Sequence, residues 1–389
     1  MVRERAARTF FPASIHNYVN VSGRWHGRRN RRVRRSRRRR GAKRGKAQPC
    51  RFTARRATNG VPLRGDAAEG GVPEASLDIL QSVLPVFLVV AMGVVLRRYR
   101  FLDEGFIDAA NSLVYYILLP VLLFYEIGGT DFRQAFSGPL VVGGYAATLA
   151  TFLLAFLVAR ALGFGPSETG AFVQGSFRAN LAYVGLPIVF TAVGPAGLRK
   201  AGILLGLIVP LLNGLSIVAL MVPHGAGKGE GIATTASRIA RQIATNPIIL
   251  ACLAGIAWSV LKLRFPGMID RTFRLLTPAT LPLALLCLGG SFSFERARKG
   301  FAVAALAAFL KGGVLTGIGI ALYRWMGVSG EDMRIGAIML GCPTAVVTYV
   351  MAARLRGDTD LAGTIVIVST VTSALTITGW LFLLRAFGW

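Results

Sequence analysis

The sequence GSFRANLAYVGLP at residues 175–187 lies inside one apolar segment, and GCPTAVV at residues 341–347 lies inside another. Each stretch carries a Gly-x-Pro triplet, at residues 185–187 and 341–343. Proline removes a helical hydrogen bond and glycine lets the chain turn away, so each triplet predicts an interrupted helix. In hydrocarbon, the freed backbone groups must be covered by protein or face a wet cavity. The two stretches therefore predict two broken helices in the interior of a membrane protein.

The composition of the whole chain agrees with a membrane protein. Of its 389 residues, 53% are hydrophobic and 16% are charged, and the mean hydropathy is +0.54. Soluble domains carry about 25% charged residues. A spanning helix needs about 20 apolar residues, and segments of about that length recur along the chain, which excludes a soluble enzyme with a single core. Ten spans are predicted, at about 77–96, 106–127, 139–162, 169–192, 201–222, 246–263, 275–294, 301–323, 333–353 and 361–384.

Charge divides the chain into a basic tail and an apolar body. Residues 1–76 hold 21 Lys and Arg against 4 Asp and Glu, a net charge of +17. With so little apolar pattern, this tail is predicted to be disordered. It has three interpretations: an arm for nucleic acid or anionic lipid, a transit peptide, or an over-extended translation start. The body divides into a first five-helix unit at 77–222, a polar connecting segment at 223–245 and a second unit at 246–389.

The two halves of the body share a pattern. The fourth span of each half carries the Gly-x-Pro triplet, and the second span of each half contains proline. Because five crossings is an odd number, the second half would insert with the opposite orientation to the first. Such inverted repeats with paired, interrupted helices are typical of secondary transporters, and the interruptions mark the binding site. The counts of Lys and Arg in the loops do not decide which side faces the cytoplasm.

Polar residues gather just before the first triplet, at Ser176, Arg178, Asn180 and Tyr183. A charge inside the membrane costs at least about 2.5–3.5 kcal/mol, so Arg178 should face the interior and have a partner. That partner is either a substrate carboxylate or a structural group, such as Glu126 or a carbonyl at a helix end.

Two further polar residues lie well inside apolar spans. Asn213 either binds ligand or joins two helices. Lys311 is expected to snorkel or to make a structural pair.

Several chemistries are not supported by the sequence. GAGKGEG at 225–231 lacks the phosphate-loop spacing, because Val222 stands where glycine is needed and Gly229 where Ser or Thr should follow Lys228. The cysteines match no metal or haem spacing. We expect no catalytic residue, no metal and no cofactor, and the protein is predicted not to be an enzyme.

Six motifs, taken in order, resemble the auxin efflux carrier family of permeases, which includes bacterial malonate-type transporters and the plant auxin exporters. Each motif is short, but their order and placement cover about residues 77–389. They are NSLVYYILLP at 111–120, GSFRAN at 175–180 with GLP at 185–187, PLLNGLS at 210–216, NPII at 246–249, PLAL at 282–285 with LGG at 288–290, and CPTAV at 342–346.

The resemblance implies an all-α polytopic fold of ten helices in two inverted five-helix repeats, with the N-terminus outside and the connecting segment cytoplasmic. It implies a crossover of the broken fourth and ninth helices at Pro187 and Pro343, with Asn180 as a ligand for a substrate carboxylate. The connecting segment is short, unlike the long loop of plant exporters, which favours a small organic acid over auxin. The basic tail has no counterpart in the family pattern.

These observations predict a secondary transporter that moves a small mono- or dicarboxylate across a bacterial plasma membrane by alternating access. The predicted substrate-binding residues are Arg178, Asn180, Tyr183, Asn213 and Thr344. The predicted helix breaks are Gly185, Pro187, Gly341 and Pro343. The expected partners are the organic anion and the lipid bilayer, with a proton as candidate coupling ion and a homo-oligomer as candidate assembly; nucleic acid is not expected. The alternatives are a sodium-coupled carrier of the related bile-acid type and a membrane-anchored protein that binds nucleic acid or lipid through its tail.

Overall fold

The computed structural model describes residues 72–224, 232–292 and 300–389. The basic tail up to residue 71 and the glycine-rich segment 225–231 lie outside the described residues. The interpretations of these two segments from the sequence are therefore not tested by the structure. The first helix begins five residues before the predicted start of the first span, at Val72.

The described ranges are nearly all helical, and they contain no β-structure beyond one isolated bridge. The main helices are α1 Val72–Arg98, α2 Glu104–Gly128, α3 Gly138–Ala161, α4 Pro166–Phe177, α5 Leu181–Val193, α6 Pro195–Met221, α7 Ile232–Ala244, α8 Pro247–Val260, α9 Gly267–Gly290, α10 Phe301–Trp325, α11 Gly330–Gly341, α12 Val347–Arg354 and α13 Thr359–Ala386.

The starts of these helices follow from local side-chain chemistry. Asp103 and Asp358 each accept a hydrogen bond from the backbone N–H three residues ahead, at 2.7 and 2.9 Å, which caps α2 and α13. Asn246 caps α8 in the same way. Proline is tolerated in a first turn because its missing N–H would have no partner there. It occupies the first turn of four helices, at Pro139, Pro166, Pro195 and Pro247.

Seven of the described helices are long and apolar enough to cross a membrane, namely α1, α2, α3, α6, α9, α10 and α13. Two shorter apolar helices, α5 and α8, accompany them. Large apolar side chains such as Leu88, Leu153 and Leu375 are exposed on the outside of the long helices, where lipid would cover them. The prediction of an all-α protein with many membrane spans is confirmed.

The predicted fourth and ninth spans are each two helices separated by a gap. The second gap separates α11 from α12 and contains Pro343. The first gap lies at 178–180, several residues before the Gly-x-Pro triplet that was expected to form it. Pro187 lies inside α5, two residues after its π-helical first turn Leu181–Gly185, and the Asn180 side chain caps α5 by accepting from the Tyr183 N–H.

Helices α1 and α9 approach so closely that glycine is required where they cross. A Cβ atom on Gly289 would collide with the backbone carbonyl of Val90, and one on Gly93 would collide with the carbonyl of Leu286. Small residues at such crossings let two backbones pack in the membrane, where hydrophobic attraction between helices is absent.

We therefore expect Gly289→Ala to lower the stability of the protein, by about 1–3 kcal/mol, because the added methyl group meets backbone that cannot move aside alone. The matched control is Gly379→Ala in α13, where an added Cβ meets no atom within 4 Å. Thermal unfolding of both purified variants in detergent checks the prediction. Equal melting temperatures for Gly289→Ala and Gly379→Ala would contradict the close crossing.

Candidate functional site

The gaps in the two broken helices lie side by side and bond to each other. The Asn180 N–H donates to the Pro343 carbonyl at 2.8 Å, and the Ala345 N–H donates to the Arg178 carbonyl at 3.0 Å. Between these bonds, Ala179 and Thr344 form an antiparallel bridge. Backbone groups freed by one gap are therefore satisfied by the other, as an apolar environment demands.

The Arg178 side chain leaves the gap and binds α6. Its guanidinium donates to the Leu212 carbonyl at 3.1 Å, to Asn213 Oδ1 at 2.7 Å and to Ser216 Oγ at 2.6 Å. The residue is 7% exposed. The carbonyl that it binds lies in the middle of α6 and not at a helix end, as was considered from the sequence, and the other two acceptors are side chains.

Two of the predicted site residues, Arg178 and Asn213, thus bind each other. The other structural partner considered for Arg178, Glu126, faces Arg199 instead, with 3.8 Å between the charged atoms. The contact of Arg178 and Asn213 with substrate stays a prediction.

Asn180 lies at the centre of the crossing. Its Oδ1 accepts from the Tyr183 N–H at 3.4 Å, and its own N–H is taken by Pro343. The side-chain Nδ2 has no hydrogen-bond partner among the described residues. Asn180 is thus anchored through one amide oxygen and its backbone, and it keeps two N–H donors for a ligand.

Tyr183 is half-buried on α5, within interaction range of Tyr115 and the Cys287 thiol. Tyr115 lies close to the side chain of Asn246 and close enough to Arg178 to interact with it. Tyr115 and Asn246 were missed as site residues by the sequence reasoning. A tyrosine within a π-helical turn, Val114–Leu118, just ahead of Pro120, is the signal that could have indicated the first of them.

Thr344, also predicted to bind substrate, holds the second gap in place. Its hydroxyl donates to the Gly175 carbonyl at 2.7 Å, and its N–H donates to Ser369 Oγ at 3.0 Å. Through these bonds Thr344 joins the gap to α4 and α13. Its contact with substrate stays a prediction as well.

Lys311 lies beside the second gap. It belongs to a π-helical turn in α10, Leu310–Leu315, and its amine donates to the Leu340 carbonyl in the last turn of α11. The residue is 1% exposed, so it does not snorkel to the membrane surface; its partner is a backbone carbonyl.

The charges around the crossing favour an anion. Arg178 and Lys311 are buried beside the gaps, and the N-termini of α5 and α12, which carry partial positive charge, begin there. The C-termini of α4 and α11, which carry partial negative charge, end at the same gaps, so the helix ends alone favour neither sign. No carboxylate is among the described groups that interact with Arg178 or Lys311, so the side chains give the crossing its basic character.

A known family covers most of the helical body. The model of the family described as "Membrane transport protein" matches residues 78–381, which is most of the chain and leaves out only the two ends of the helical body. The chain belongs to this family. It is the auxin efflux carrier family that the motifs resembled, so the resemblance is confirmed. The protein is a multi-pass membrane transporter of that family.

Three relatives of this family member cover similar lengths at low identity. A protein of Rhizobium meliloti strain 1021 named "Putative malonate transporter" is 23% identical over 317 residues, 79% of this chain and 97% of the relative. An uncharacterized transporter of Methanothermobacter thermautotrophicus is 24% identical over 302 residues, 77% of this chain and 96% of the relative. An uncharacterized transporter of Methanocaldococcus jannaschii is 22% identical over 311 residues, 77% and 98% of the two chains.

The bonds of Arg178 give a stability prediction for this carrier. Asn213→Ala removes a buried acceptor and leaves a guanidinium donor without a partner, at a cost of about 1–3 kcal/mol. Asn111→Ala is the control, because its side-chain bond to Ser291 is exposed. Thermal unfolding should show a lower melting temperature for Asn213→Ala than for Asn111→Ala. A lower melting temperature for Asn111→Ala than for Asn213→Ala would mean that the bonds between the guanidinium and α6 do not stabilise the protein.

Proposed function

We propose that the protein is a secondary transporter of small organic anions and that the crossing of the two helix gaps is its binding site. The observation that carries this proposal is Asn180 at the paired gaps, whose amide nitrogen has no hydrogen-bond partner in the described part of the chain. Donors of this kind suit a carboxylate, which can only accept hydrogen bonds. Family membership supports a transporter, and the donors of the site favour a negatively charged substrate.

Small mono- and dicarboxylates are the substrate class we propose, with malonate as the first compound to test. One relative carries malonate in its name. In our proposal, one carboxylate of the substrate accepts from Asn180 Nδ2, and the Tyr183 ring covers the adjacent carbon atoms. Arg178, Asn213 and Thr344 contribute charge and hold the gaps at the right distance for this contact.

The proposed architecture is ten spans in two inverted five-helix repeats. Each half then contains a broken fourth span, α4 with α5 and α11 with α12, and the antiparallel pairing of the gaps supports this reading. The N-terminus would lie outside, and the connecting segment that contains α7 would be cytoplasmic. In α8, 14 residues span only about 21 Å, less than the hydrocarbon core, so the sixth span would be completed by its flanking residues.

Alternating access is the mechanism that we propose for this fold. Broken helices meet without a continuous hydrogen-bond ladder, so the half-helices can rock about the paired gaps while Asn180 keeps its ligand. At one end of α6, Lys200 bonds Asp332 at 2.6 Å and Arg199 faces Glu126 at 3.8 Å. These ion pairs tie α6 to α11 and α2, and they are candidates for contacts that break when this side of the carrier opens.

The sodium-coupled alternative fits the described residues less well. A sodium site beside the crossing would need a cluster of oxygen ligands, such as carboxylate, amide or hydroxyl oxygens or freed backbone carbonyls, and the ninth span offers only the side chains of Thr344 and Thr348 for it. In the described part of the chain, the buried side chains around the gaps instead contribute a guanidinium and an ammonium. An anion carrier without sodium is therefore the better account.

The test of the proposed function is a pair of substitutions at one position. Asn180→Asp keeps the size of the side chain and its capping oxygen but places a negative charge where the carboxylate would bind. Asn180→Ala removes the donors without adding charge. We expect both to lose about tenfold or more in malonate affinity, because a hydrogen bond to a charged group contributes about 1.5–3 kcal/mol.

The measurement is uptake of radiolabelled mono- and dicarboxylates into proteoliposomes, together with the melting temperature of each variant. Asn111→Ala, outside the crossing, is the matched control for removal of an asparagine amide. Unchanged affinity in a folded Asn180→Asp variant would show that the crossing does not bind the substrate carboxylate.

A further inference from the structure

The buried amine of Lys311 has far fewer partners than the buried guanidinium of Arg178. Arg178 is matched by three acceptors on α6, whereas Lys311 donates to one acceptor, the Leu340 carbonyl. Two of the three N–H donors of a charged ammonium would then have no partner in the described residues. Nearby, the buried Thr316 hydroxyl also has no partner, and Thr316 lies against Gly341. The end of α11 is therefore bordered by polar groups with unused hydrogen-bonding capacity.

No described carboxylate balances the amine. Helices α3, α4, α11 and α13 pack against its π-helical turn. Among the described titratable groups, the one that interacts with the amine is the Cys342 thiol, in the residue that follows α11. The acids on α11, Glu331 and Asp332, precede Leu340 by eight residues or more, about 12 Å along the helix.

The remaining titratable and charged groups on these helices lie away from the turn. They lie toward helix ends or bond elsewhere: Tyr145 and Arg160 on α3, Glu168 on α4, Arg334 on α11, Asp360 and Arg385 on α13, and Tyr323 and Arg324 on α10 itself. Tyr145, for example, donates its hydroxyl to the Leu207 carbonyl of α6. The amine thus has a neutral thiol and a carbonyl as its immediate surroundings.

Lysine and arginine differ in their ability to release a proton at a buried position. A guanidinium stays charged under all physiological conditions, whereas a buried lysine can release its proton and become a neutral amine. An ammonium with one carbonyl partner is expensive to bury, and a neutral amine is not. The charge of Lys311 therefore depends on a nearby negative charge, which the described chain does not contain and an anionic substrate at the crossing would add.

We propose that Lys311 binds one proton when the anion is bound and releases it when the anion leaves, so that the carrier moves the anion together with a proton. This inference rests on the proposed function, and it names the coupling ion of the same site. The reaction is a proton transfer only: the amine lone pair takes H⁺ to form the ammonium, and the ammonium returns H⁺ and the lone pair. No oxidant or other reactant is required.

The position of Lys311 connects its charge to the gap. Leu340, its acceptor, precedes Pro343 by three residues, and the Pro343 carbonyl accepts from Asn180. A protonated Lys311 offsets the partial negative charge at the C-terminus of α11 and holds the Leu340 carbonyl. A neutral amine does this more weakly. Substrate at Asn180 and proton at Lys311 therefore act on the same short segment of backbone.

The experiment uses the full chain in proteoliposomes that contain a pH-sensitive dye, with radiolabelled malonate outside. The membrane potential is held at zero with potassium and valinomycin on both sides, because malonate with one proton still carries negative charge. A pH gradient of one unit, acidic outside, can then support up to about tenfold accumulation for one proton per anion. We expect the wild-type protein to accumulate malonate toward this limit and to acidify the interior as it does so. Lys262→Met, an exposed loop lysine, is the control and should behave like the wild type.

Lys311→Arg separates coupling from binding. Because arginine does not release its proton, the variant should still exchange internal for external malonate, but accumulation driven by the pH gradient should fall to the level without a gradient. Lys311→Met should also lose that accumulation. The protonation state of malonate also changes with pH, but it changes equally for every variant and does not affect the comparison.

Accumulation by Lys311→Arg equal to that of the wild type would overturn the proposal. So would malonate uptake by the wild type that is indifferent to the gradient and leaves the internal pH unchanged, a result that does not depend on whether the variants fold. If the wild type transports no acid of a mono- and dicarboxylate panel, the proposed function fails and the proton site fails with it. Transport without proton movement rejects the proton site alone.

Discussion

The pairing of two helix gaps through their backbones is the constraint on which the rest of the structure depends. A broken helix inside an apolar body exposes N–H and C=O groups that are costly to leave without partners. Here the bonds from Asn180 to Pro343 and from Ala345 to Arg178 satisfy them, so each gap exists only because the other is there. Helices α4, α5, α11 and α12 are therefore fixed around one point in the interior.

The side chains buried around that point are basic. Arg178 and Lys311 lie beside the gaps, where the N-termini of α5 and α12 and the C-termini of α4 and α11 meet, and no carboxylate is among the described groups that interact with either side chain. The two cationic residues differ in their surroundings. Arg178 is surrounded by three acceptors, as a permanent charge requires, and Lys311 has one, as suits an amine that exchanges a proton. Arg178 ties the first gap to α6, and in our proposal Lys311 is part of the transport cycle.

Much of this arrangement was predictable from the sequence, for physical reasons that can be named. Long apolar runs predicted the spans, and Pro343 predicted the second gap, because proline and glycine act through the local backbone. The first gap was placed too late, since Pro187 lies inside α5, after a π-helical turn, whereas Asn180, a good capping residue, decides where α5 begins. A prediction from local sequence succeeds when residues close together in the chain determine the feature.

Contacts between distant helices could not be predicted in this way. Nothing in the spacing of Arg178 and Asn213 says that they meet, because their contact depends on how α6 packs beside the first gap. The same holds for Lys311 and Leu340, and for Tyr115 and Asn246, which the sequence analysis did not select. Polarity inside a span indicated which residues needed partners, and packing determined which partners they found.

The most direct measurement of the central claim is an electron cryo-microscopy structure of the protein in lipid nanodiscs with malonate bound. The account predicts a carboxylate within hydrogen-bond distance of Asn180 Nδ2, at the paired gaps, with Arg178 still bound to α6. Malonate located away from the gaps, with the Asn180 amide unoccupied, would contradict it.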